Sequence, residues 1–139
     1  MGVHLTATMC PSTMDPVRAK EEATLGYPGT IVQVLGAGSP TNARTLEMLA
    51  AQTLEAAKSG ELLANKPEVD FLLRVAGSTQ IARALKTSGA VKGSPFILVS
   101  FSTSRRPVHL PGSPLIGTDL TDDDFSLIEA AALLGVHRT

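Results

Sequence analysis

The chain has no tryptophan, one tyrosine and four phenylalanines in 139 residues. Aromatic stacking can therefore add little to any binding of nucleic acid, which would rest on charge. Cysteine is as scarce: Cys10 stands alone and excludes an internal disulfide. The start, Met1-Gly2-Val3-His4-Leu5-Thr6, lacks the basic and long apolar parts of a secretory leader. No apolar run approaches the roughly 20 residues of a membrane span. Together these absences predict a cytoplasmic protein with no membrane partner. Acid is missing from a long middle segment. Residues 71–118 hold no Asp or Glu, but they carry Arg74, Arg83, Lys86, Lys92, Arg105 and Arg106. A net charge of −1 thus hides a basic centre between two acidic ends, which points towards polyanions.

Enough apolar residue is present, 43% of the chain, for a real core. The length suits a single domain over 1–139. Loose alternation from Val3 to Met9 predicts a strand. Residues 13–24 read as a short helix with Pro16 in its first turn. Thr30 to Leu35 reads as a second strand, and an Ala-rich helix should follow, opened by Ser39 and Pro40 and closed by Gly60. Val69 to Val75, mostly apolar on both faces apart from Arg74, reads as a third strand. Ser78 should cap a helix ending at Gly89, with Ile81, Ala84 and Leu85 towards the core and Thr79, Arg83 and Lys86 outward. Phe96 to Phe101 is the most apolar strand and should be central. Residues 102–118 read as an irregular Pro-rich loop, and Thr121 should cap a last helix whose dipole Asp122 to Asp124 complement. The fold class expected is α/β: a small mixed sheet of about four strands with helices packed around it.

The most enzyme-like stretch is Ile31-Val-Gln-Val-Leu-Gly-Ala-Gly38, a strand running into a glycine turn before a helix. A dinucleotide fingerprint needs a third small residue three positions after the second glycine, and Thr41 stands there. It also wants an acid ending a second strand, whereas Glu55 and Glu61 fall in or just after a helix. A small nucleotide- or dinucleotide-binding enzyme using Gly36-Ala37-Gly38 is therefore the alternative reading, and no cofactor is expected. His4, His109 and His137 lack metal-ligand spacing, so no metal is expected either. Cys10 has no identifiable histidine partner, and no Gly-x-Ser-x-Gly elbow exists, so no catalytic residue is assigned. The last helix, Phe125 to Val136, carries Glu129 as its only charge and is apolar nearly all round, so it is either buried on both sides or covered by a protein partner.

The run Val69-Asp-Phe-Leu-Leu-Arg-Val-Ala-Gly-Ser-Thr-Gln-Ile-Ala-Arg-Ala-Leu-Lys-Thr-Ser-Gly89 resembles a known family. It is similar to the small subunit of the KEOPS complex, the PRPK-binding (TPRKB-like) kinase-binding proteins. The carrying features are Leu72-Leu-Arg74, Ala76-Gly77, Gln80-Ile81 and Ala84, with the strand at 31–35, the strand at 96–101 and the closing helix in the same order. The resemblance covers roughly residues 30–136. It implies a non-enzymatic subunit that binds and supports the atypical kinase/ATPase of the complex. It also implies binding of tRNA at the CCA end, for threonylcarbamoyl-adenosine formation. The kinase contact would fall on Leu127, Ile128, Ala131 and Leu134, and the tRNA contact on Arg74, Arg83, Lys86 and Lys92. The Pro-rich segment with Arg105-Arg106 departs from the family pattern, and no contact is carried over to it.

Overall fold

The computed structural model describes residues 2–117 and 119–136. It contains strand β1 (His4–Cys10), helix α1 (Pro16–Gly26), strand β2 (Ile31–Gly36), helix α2 (Ala43–Ser59), helices α3 (Pro67–Ala76) and α4 (Ile81–Ser88), strand β3 (Phe96–Ser102), strand β4 (Ser113–Pro114) and helix α5 (Asp122–Leu133). One four-stranded sheet runs in the order β2-β3-β1-β4. The expected α/β class and strand number are those observed. Every pairing described is antiparallel, however, where a mixture was expected.

Alternation divides the sheet into two faces. Ile97, Val99 and Phe101 of β3, with Leu35 of β2 and Ala7 of β1, look towards α2, α3 and α5 and form the larger core. Phe71 of α3 meets Phe101 there, ring centroids 4.9 Å apart. Phe96, Leu98, Val32 and Cys10 look the other way, onto Ala19 and Ala23 of α1. β3 is buried almost throughout, as a central strand covered on both faces must be.

The largest departure from expectation is residues 69–75, a helix rather than a strand. Pro67 opens α3 in its first turn, and Gly77 closes it at φ 68° in the left-handed region. Asp70 and Arg74, four apart, then lie on one face and pair. α2 begins later than expected. Asn42 is its N-cap, its side-chain oxygen accepting from Arg44 N–H at 2.9 Å, and Ser39 and Pro40 belong to the preceding turn. The Gly60 stop is as expected, at φ 71°. Thr121 caps α5 reciprocally with Asp124 in a capping box. The Thr121 backbone N–H, and then its hydroxyl, hold the Asp124 carboxyl below its ordinary range. Among the described residues no helix is long and apolar enough to cross a membrane.

Candidate functional site

The glycine turn after β2 is shaped by packing. Leu35 makes an isolated bridge to Gly89, the residue that ends α4. That brings two backbones together, and a Cβ on Gly36 would lie 2.8 Å from the Gly89 carbonyl oxygen. Gly38 faces open space. Gly36→Ala should therefore push α4 away from β2 and cost about 1–3 kcal/mol, as overpacking does. Gly38→Ala should change stability by under about 0.5 kcal/mol. Thermal denaturation of the two variants side by side checks this; equal midpoints would refute the packing account of the turn.

Along the outer edge of β2 lies an apolar groove of about 630 Å³. Its walls are Val17, Lys20 and Thr24 of α1 on one side and Ile81 and Leu85 of α4 on the other, with Val34, Val69 and Leu72 beneath. The strand edge is blunted locally. Gln33 turns its side chain back to accept from Val34 N–H at 3.0 Å and donates to the Glu68 carbonyl at 2.7 Å. Ile81 and Leu85, expected in the core, are 49% and 54% exposed. An eight-residue helix buries one narrow stripe, and here Ala84 and Ser88 fill it. Ile81 and Leu85 lie beside that stripe and become the groove wall. Thiol chemistry plays no visible part, because Cys10 is fully buried in the smaller core and burial pushes its thiol up.

The four basic residues expected to form one positive surface separate. Arg83, Lys86 and Lys92 are exposed on and just beyond α4, and none makes an ion pair among the described residues. Arg74 is buried. Its Nε donates to Asp70 Oδ1 at 2.7 Å and its Nη2 to Oδ2 at 3.2 Å. Its Nη1 reaches the Ala131 carbonyl at 3.2 Å and Gln52 Oε1 at 3.4 Å. Asp70 also accepts from Thr53 Oγ1 at 2.6 Å and Leu63 N–H at 2.9 Å. A guanidinium so engaged has no face left for phosphate, so Arg74 leaves the candidate interface. It joins α2, α3 and α5 instead.

Leu127, Ile128, Ala131 and Leu134 also belong elsewhere. At helical spacing they share one side of α5, and that side packs on the larger core, with Ala131 fully buried. Gln52 Nε2 fastens this side by donating to the Ile128 carbonyl at 2.9 Å. What α5 turns outward is Phe125 and Leu133, at 55% and 45% exposure, followed just beyond its end by Val136 at 68%. His137, among the scattered histidines, lies outside the described residues. Among the described residues no group of three or more His, Cys, Asp or Glu is placed to hold a metal ion. Neither a family model nor a curated protein matches the chain.

Proposed function

We propose that this chain is a non-enzymatic subunit of the KEOPS tRNA-modification complex. In this reading it binds and supports the atypical kinase/ATPase and engages the CCA end of tRNA, in a cytoplasmic setting. The observation that carries the reading is the two-sidedness of α4. Ile81 and Leu85 wall an apolar groove that also holds Glu21, while Arg83 and Lys86 on the same helix, and Lys92 beyond it, are exposed and make no ion pair among the described residues. Single-stranded nucleic acid calls for this pairing of apolar contact for base faces and cations for phosphates. No aromatic side chain lines the groove, so aliphatic contact replaces ring stacking. For the kinase, the outward side of α5 offers Phe125 and Leu133, with Val136 just beyond the helix. The rival reading, an enzyme cradling a dinucleotide at the 36–38 turn, is less well supported, since Gly36 already answers to Gly89.

Two double variants separate the two contacts. Arg83→Glu with Lys86→Glu should weaken tRNA binding at least about tenfold and flatten its salt dependence, because released counterions scale with phosphate contacts. It should leave kinase binding unchanged. Phe125→Asp with Leu133→Asp should do the reverse. The measurements are tRNA titrations at two salt concentrations, with intact and CCA-trimmed tRNA, and co-purification with the kinase. Equal affinity for both RNAs, or a kinase that never co-purifies with the wild-type chain, would overturn the reading.

A further inference from the structure

The face of the sheet turned towards α1 changes character at one end. Phe96 and Leu98 give way to Ser100, which lies between Thr6 of β1 and Val32 of β2, and then to Ser102 opposite His4. Alternation puts the side chains of Ser100, Thr6, Ser102 and His4 on that face. Ser100 is 1% exposed, and its hydroxyl has no hydrogen-bond partner among the described residues. A buried hydroxyl left without a partner costs stability and needs an explanation. Ser100 also lines a basin of about 450 Å³, a size that holds a small ligand.

The segment after β3 forms the wall of this basin and brings Arg105 and Arg106 to it. Neither arginine has a carboxylate within ion-pair distance among the described residues. Arg106 is nonetheless held in place. Its guanidinium carbon stands 5.9 Å from the Tyr27 ring centroid, and its Nη1 donates to the Pro28 carbonyl at 3.4 Å. Tyr27 in turn ties the loop down, its hydroxyl accepting from His109 N–H at 2.8 Å. The one carboxylate at the rim, Glu47, is paired with Arg44 at 3.3 Å. Hydroxyls beneath and unopposed guanidiniums above make a donor set suited to an oxyanion.

We propose that this basin binds a phosphate group, received by Thr6 and Ser100 from the sheet and by Arg105 and Arg106 from the loop. The phosphate belongs either to a free small molecule or to a polynucleotide backbone; both present negatively charged non-bridging oxygens. The inference is independent of the groove beside α4, with which the basin shares no lining residue.

Inorganic phosphate is the first probe, added while the backbone amides of residues 100–108 are followed by NMR against sodium chloride of equal ionic strength. Saturable shifts confined to this segment are expected. Arg105→Ala with Arg106→Ala should weaken the binding at least about tenfold. Ser100→Ala should weaken it several-fold, yet leave the melting temperature in phosphate-free buffer unchanged or higher, because an orphaned hydroxyl has been removed. A purely structural serine would give the opposite thermal result. Adenosine monophosphate and a short single-stranded RNA, each competing with phosphate, then identify the source. The tighter competitor carries the physiological group. Shifts that fail to saturate, or an arginine double variant that binds like wild type, would overturn the proposal.

Discussion

Asp70→Ala should destabilise the protein by about 3–5 kcal/mol, the usual consequence of removing one partner from a buried ion pair. That is a large part of the roughly 5–15 kcal/mol that holds most domains together. The size follows from what is left behind. Arg74 keeps its charge in a site with 6% side-chain exposure, and Thr53 Oγ1 and Leu63 N–H lose their acceptor. Because Arg74 also holds the Ala131 carbonyl, the docking of α5 should loosen first. Asp70→Leu combined with Arg74→Met should recover part of the loss, since no charge is then stranded. Chemical denaturation of the single and double variants measures this, with hydrogen exchange along α5 as the local readout. A single variant within about 1 kcal/mol of wild type would mean the pair contributes no more than an exposed one.

Ile81→Glu with Leu85→Glu should reduce tRNA affinity at least about thirtyfold, taking roughly 2 kcal/mol or more for loss of a central apolar contact. The carboxylates would replace the groove wall and stand beside Arg83 and Lys86, whose charge they would partly cancel. Folding should be barely affected, because both residues are about half exposed already. The conservative pair Ile81→Leu with Leu85→Met keeps an apolar wall and should bind within a few-fold of wild type. Titration with intact tRNA, together with the melting temperature of each variant, checks the prediction. A stable glutamate variant with wild-type affinity would remove the groove from the RNA contact and leave only the charges.

Much of the architecture was readable from the order of residues. β1, β2, β3 and the Thr121-capped α5 follow alternation, apolar runs and capping chemistry that are local by nature. α3 was misread because Val69 to Val75 is apolar enough to pass for a buried strand. The contrary signals were present: Pro67 and Gly77 at helical entry and exit positions, and an acid four residues before a base. That misreading carried Arg74 to the surface, whereas the helix turns it inward. The exposure of Arg83 and Lys86 was legible, because helical spacing sets them away from the side of α4 that Ala84 buries. The groove was not, since its walls and floor come from α1, β2, α3 and α4, and no pattern within any one of them announces the others. The same holds for the polar basin, where Ser100 acquires meaning only opposite Thr6.

The central position of β3 has a consequence for how the chain comes into being on the ribosome. β1 pairs on one side with residues 96–102 and on the other with Ser113 and Pro114. Among the described residues β2 likewise finds its only strand partner in β3. At about 5–20 residues per second, β1 must wait roughly 5–20 s after its synthesis for a mate. During that interval α1, α2, α3 and α4 can form, yet they have no completed sheet to rest on. The apolar flank of β2 is meanwhile open to other chains. Productive folding of this molecule is thus a late event, set by the arrival of one seven-residue strand, and a ribosome that stalls before it leaves two strands without a partner.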